Sequence, residues 1–126
     1  MQAFLAAGHV CAVMGWRQYE PIAARWRVPI VVTGFEPLDL LEGVLMAVEQ
    51  LEEGREEVEN QYARAVQRAG NRHAQQVVAE VFRITDRTWR GIGPLPASGL
   101  ELAPAFVSYD AARRFRVMDV RSAEHP

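Results

Sequence analysis

Residues 30–54 constrain this chain most. Ile30–Thr33 (IVVT) is a β-branched run of the kind that fills a buried strand, and Gly34 ends it. A few residues on, the period changes. Leu40, Leu41, Val44, Leu45, Val48 and Leu51 recur at three-and-four spacing to about Glu53, and Gly54 supplies a terminator. Pro37 suits the first turn of this helix and Asp39 is a candidate cap. A strand that passes so directly into an amphipathic helix is half of a strand–helix–strand unit. The spacing predicts that one apolar stripe of the helix is buried.

The flanking sequence repeats the theme. Val10–Met14 (VCAVM) ends at Gly15 and reads as a first buried strand, Tyr19–Trp26 as a short helix around Pro21, and Val28–Thr33 as the second strand. Glu56–Val66 stays open between strand and helix: Val58, Asn60 and Tyr62 alternate, while the flanks suit a helix. Asn71–Phe82 is helical, apolar at Ala74, Val77, Val78 and Val81. From Thr88 the pattern fragments, because WRGIGPLPASGLEL carries three glycines and two prolines, which suit turns and short irregular strands. Phe106–Tyr109 reads as a brief strand, Asp110–Phe115 as a helical turn and RSAEHP as a frayed tail. The order of elements predicts an α/β fold on a parallel sheet. Residues 1–87 form the lobe, and 88–126 an irregular connecting segment and tail of the same domain.

At 126 residues the chain can build one real core, and 49% hydrophobic with 24% charged residues is ordinary globular composition. A formal net charge of −2 gives no reason to expect a nucleic-acid partner. No stretch reaches the roughly 18 apolar residues of a membrane span. The opening MQAFLAAGHVCAVMG lacks the basic start of a signal peptide, so the expected location is cytoplasmic. Cys11 is the single cysteine, so there is no internal disulfide, no CxxC pair and no cysteine-rich metal site. Within an apolar run it reads as an inert small hydrophobe.

Ligands of open parallel sheets bind beyond the carboxyl ends of the strands, which is where Gly15, Gly34, Phe35 and Glu36 are expected. Gly34 permits close backbone approach and Pro37 stiffens the turn after Glu36. A carboxylate held there can accept backbone N–H groups, bind a partner's cation or act as a base; it can equally be a plain helix-start carboxylate. His9, beside Gly8 at the head of the expected first strand, is a ligand, a base or a structural group, and that strand puts it at the opposite end from Glu36. Asn60 and Tyr62 either orient a ligand or satisfy buried backbone. Gly91-Ile92-Gly93-Pro94 precedes no convincing helix and fails as a dinucleotide loop. No nucleophilic triad or metal cluster stands out by spacing.

GHVCAVMG at 8–15, VPIVVTGFEPLDLL at 28–41, EGREEVENQYARAV at 53–66, GN at 70–71, WRGIGPLPASGLEL at 89–102 and YDAARRF at 109–115 carry a resemblance. In order and spacing the chain resembles an internal portion of HypD, a family of hydrogenase formation proteins that help build the iron centre of [NiFe]-hydrogenases. The resemblance implies a second, Rossmann-like three-layer lobe of a cytoplasmic scaffold. That scaffold works with a HypC-type chaperone and a HypE-type cyanide donor to assemble an Fe(CN)2CO centre. It places the family's motif histidine on His9 and its motif glutamate on Glu36, as cleft-facing candidate catalytic residues. Gly8, Gly34, Phe35, Pro37, Asn60 and Tyr62 are the surrounding candidates for binding ligand or partner.

The full-length family also implies a [4Fe-4S] cluster and a bound iron. Their cysteines lie in segments this chain does not contain, so no cofactor and no metal ligand is assigned to it. The chain also departs from the family at Ala7, usually proline, and at Cys11, usually serine. The expected function is therefore a part of the maturation scaffold, incomplete alone and not clearly an enzyme. The alternative is a degenerate or stand-alone α/β protein-binding module without iron chemistry. A lobe without its neighbours is also expected to expose an apolar face, through which it can form a homodimer.

Overall fold

The computed structural model describes residues 1–115. The chain divides into two compact units, Met1–Gln75 and Gln76–Pro126. The expected frayed tail, RSAEHP, lies outside the described residues.

The first unit is built on three parallel strands, β1 (Phe4–Ala7), β2 (Ile30–Thr33) and β3 (Val58–Asn60), in that spatial order. β2 is central and buried along its whole length, as its β-branched run requires. Strand alternation sorts the side chains. Leu5, Val31, Thr33 and Glu59 share one face, and Ala6, Val32, Val58 and Asn60 the other. Helix α1 (Gly8–Met14) covers the second face, where Cys11, Val32 and Val66 form the core with Ala6, Tyr19, Val58 and Tyr62 around them. Helix α2 (Glu20–Trp26) follows a short 3₁₀ turn, and α3 (Pro37–Glu53) covers the first face. The expected α/β class with a parallel sheet is what the structure shows.

One strand is not where the sequence put it. Val10–Met14 is helical, and the first strand is Phe4–Ala7. A five-residue apolar run fits a strand or one side of a helix equally well. Here only Cys11 of the run is fully buried, while Val10 and Met14 are 42% and 47% exposed. Gly15 consequently leaves the expected ligand edge. It closes α1 with φ +76°, its backbone pressed against that of Arg68–Gly70.

Helix α3 has the expected length, with Glu36 as N-cap, Pro37 in the first turn and Gly54 left-handed at the end. Its buried face is the reverse of the expected one. Asp39, Gly43, Ala47 and Gln50 face inward, while Leu38, Leu41 and Leu45 are 64%, 68% and 56% exposed. Sterics and polar pairing explain this. Gly43 lies against the Thr33 side chain, so the helix axis sits too close to β2 for a larger residue. Gln50 is fully buried yet satisfied, donating to Glu59 Oε2 at 2.7 Å and accepting the Glu57 N–H at 2.9 Å.

Glu56–Val66 resolves into strand β3 followed by a turn at 61–65, anchored by the Gln61 and Tyr62 N–H groups on the Val32 carbonyl. Asn71 starts α4 (Arg72–Val81), its side-chain oxygen accepting the Ala74 N–H at 3.0 Å.

In the second unit, β4 (Phe82–Trp89) and β5 (Gly93–Leu102) pair antiparallel from Phe82↔Leu102 to Trp89↔Gly93. This is more regular than the glycines and prolines suggested. Both strands of a two-stranded ribbon are edges, so Pro94 and Pro96 can sit where no ladder donor is needed. Phe106–Tyr109, expected as a strand, belongs to a 3₁₀ helix over Pro104–Tyr109. Asp110 caps the short α5 (Ala111–Arg114). No described helix is long and apolar enough to cross a membrane.

Candidate functional site

Register fixes the site. Ala7 pairs with Thr33, so β1 and β2 end together and Gly8 and Gly34 lie just past the same carboxyl edge. His9 and Glu36 therefore share that edge, which overturns their expected placement at opposite ends. The His9 and Phe35 rings stand 5.0 Å apart, tilted by 49°. Phe35 is 61% exposed, so it forms the outer surface of the loop with His9.

Tyr62 joins the two loops from below. A Cβ on Gly8 would run into the Thr33 carbonyl oxygen and come within 2.7 Å of the Tyr62 ring. One on Gly34 would run into the Asp39 carboxylate and come within 2.9 Å of the same ring. Both glycines are therefore required by close approach. Asn60 and Tyr62 do not lie on one extended segment, because the strand ends at Asn60. The Asn60 amide donates to the Val66 carbonyl at 2.9 Å, holding the following turn, while its buried Oδ1 has no hydrogen-bond partner among the described residues.

Glu36 caps α3 by its backbone alone, with φ −70° and ψ 150°, and its side chain makes no capping bond. The carboxylate is 80% exposed and, among the described residues, its nearest cation is Arg64, at 3.9 Å. A pair this open contributes little to stability. It leaves a carboxylate free to meet another molecule.

Sequence reasoning missed the network beside it. Arg64 grips Asp39 with two bonds of 2.7 Å, Nη1 to Oδ1 and Nη2 to Oδ2, and its guanidinium lies 4.4 Å from the centre of the Tyr62 ring. Gln61 donates to Asp39 at 3.0 Å and to Glu42 at 2.8 Å, and its oxygen accepts the Gly34 N–H at 3.4 Å. The Asp39 side chain is only 5% exposed. Arg64 and then Gln61 pull its carboxyl down to about 2 against the opposing effect of burial, and Arg64 is raised in turn. Asp39 was visible as a cap, but nothing local marks Arg64 as its partner.

No group of three or more His, Cys, Asp and Glu among the described residues is placed to hold a metal ion. Cys11, fully buried, hydrogen-bonds the Tyr19 hydroxyl at 3.8 Å, and burial pushes its thiol up, away from the thiolate that iron prefers. These residues do not fit an iron–sulfur cluster. A recess of about 610 Å³ is lined by Ala12, Gln67, Gly70, Asn71 and His73, and its lining includes neither His9 nor Glu36.

Comparison with known proteins supplies the context. The HypD family profile, described as the hydrogenase formation hypA family, matches residues 1–126. The chain is 46% identical to hydrogenase maturation factor HypD1 of Bradyrhizobium diazoefficiens over its whole length, covering 33% of that protein. It is likewise 46% identical to hydrogenase maturation factor HypD of Escherichia coli K12, covering 34%. With the hydrogenase expression/formation protein HupD of Azotobacter chroococcum it shares 45% identity over 91% of this chain and 31% of the relative. The chain thus spans about a third of the length of the curated relatives it matches. With the profile matched from end to end and three such relatives alongside it, the chain belongs to the HypD family.

Proposed function

We propose that this chain is one lobe of a cytoplasmic scaffold for [NiFe]-hydrogenase maturation, on which the Fe(CN)2CO centre is assembled. Iron is the cargo in this reading. The thiolates that hold it, and the [4Fe-4S] cluster, come from the parts of the family protein that this chain lacks. The HypC-type and HypE-type partners approach the same cleft. The observation that carries the reading is the convergence of His9, Phe35 and Glu36 at one sheet edge, on loops whose Gly8 and Gly34 both abut the Tyr62 ring. Such an edge offers an exposed carboxylate and an imidazole, the groups needed to accept, hold or pass protons beside a metal centre under construction.

A chimera tests this. The corresponding third of the Escherichia coli relative is replaced by this chain, and hydrogenase activity is measured in cells lacking their own HypD. The chimera is expected to restore activity. His9→Ala and Glu36→Gln are each expected to reduce it by roughly tenfold or more, with the chimera still accumulating as folded protein. Full restoration by both variants would sink the site assignment. A second reading, a protein-binding module without iron chemistry, is favoured by the outward apolar face of α3. It predicts a folded chimera that restores nothing.

A further inference from the structure

The outer face of α3 is an apolar feature that the site does not use. Leu38, Leu41, Leu45 and Val48 run along it at three-and-four spacing, 64%, 68%, 56% and 43% exposed. On the side toward β1 the stripe continues through Val44 and Leu51 into a recess of about 340 Å³ beside Phe4 and Leu5. A stripe of this length on a folded surface marks an interaction site. Three layers are already in place, α1 and α2, the sheet, and α3. Whatever covers the outside of α3 is a separate folded body, not a missing layer of this core.

Charge identifies the occupant. Residues 37–53 hold five acidic residues and no basic one. Glu42, Glu49 and Glu53, at i, i+7 and i+11, follow one flank of the stripe. Glu49 is in no ion pair among the described residues, Glu42 accepts only from the neutral Gln61, and Glu53 is already paired with Arg55 at 2.6 Å. Two copies packed antiparallel through this face would set one glutamate flank against the other. Packed parallel, they would align two helix dipoles and bring two Glu36–Asp39 ends together. A second copy therefore fits badly. We infer that the outer face of α3 docks a partner protein through an amphipathic helix with apolar anchors at i, i+3 and i+7 and a Lys/Arg flank lying against Glu42 and Glu49.

The test uses two synthetic helical peptides with the same leucine face, one flanked by lysine and one by glutamate, titrated calorimetrically into the 126-residue chain. The basic peptide is expected to bind roughly tenfold or more tightly than its acidic twin, and the gap should shrink as salt rises. Leu41→Gln/Leu45→Gln, both outward and outside the core, should weaken binding by roughly tenfold while circular dichroism and melting stay unchanged. Glu42→Gln/Glu49→Gln should narrow the gap between the twins. Equal binding of the twins, or no effect of the leucine pair, overturns the inference. So does a dimer at tens of micromolar that the leucine pair dissolves, since a second copy then covers the stripe. Loss of peptide binding in the chimera also overturns it, because the rest of that polypeptide would then be the occupant.

Discussion

Gly8→Ala is expected to destabilise the first unit by about 3 kcal/mol, the upper end of overpacking costs. The new methyl group would collide with the Thr33 backbone carbonyl and the edge of Tyr62. A carbonyl in the central strand cannot move aside without breaking the register that ends β1 and β2 together. Gly54→Ala provides the control. Gly54 is left-handed at φ +67° with nothing within 4 Å of a Cβ, so alanine there costs only backbone strain, about 1 kcal/mol. Urea titrations of the two variants check the ordering, and equal losses would mean that Gly8 is conformational rather than steric. In the chimera, Gly8→Ala should also lower hydrogenase activity, because it displaces His9 at the next position.

The Asp39–Arg64 pair should appear as a pH dependence. The Asp39 carboxyl is lowered from 3.8 to about 2 in the folded chain. A carboxyl with a depressed folded pKa stabilises above its unfolded pKa, and that contribution disappears as pH falls toward the folded value. The window is therefore roughly pH 4 down to pH 2. Arg64→Gln removes the largest cause of the shift and leaves a buried carboxylate without its cation. The variant is expected to melt several degrees below wild type at neutral pH, with the gap closing across that window as Asp39 protonates in both proteins. Melting curves between pH 7 and 2 decide it; a gap independent of pH would show that Arg64 acts by packing on Tyr62 instead.

Much of the fold could be read from residues whose chemistry admits one use. IVVT, Gly34, Pro37 and Gly54 placed β2 and α3 because a β-branched run, a tight exit, a first-turn proline and a left-handed terminator each have few alternatives. Phe4–Ala7 was overlooked because FLAA is poor in β-branched residues and lies beside the more strand-like VCAVM. That one displacement hid the nearness of His9 to Glu36. The apolar period of α3 was real, but periodicity shows only that a stripe exists, not which neighbour meets it. The inward stripe, Asp39, Gly43, Ala47 and Gln50, is legible only once Thr33, Glu59 and Arg64 are in place. Arg64 lies 25 residues from Asp39, and no local rule joins them.

The reversed polarity of α3 also changes what a routine assay reports. Neutral hydrophobic dyes such as Nile red brighten on exposed apolar surface, and that signal usually diagnoses a molten globule. Here the leucines that attract such a dye stand outside a core in which Val31, Val32, Cys11 and Gln50 are fully buried. Dye fluorescence should therefore be a property of the native state, decreasing as the protein unfolds and decreasing in Leu41→Gln/Leu45→Gln with no loss of stability. A stability screen that discards dye-positive variants would select against the native surface of this protein.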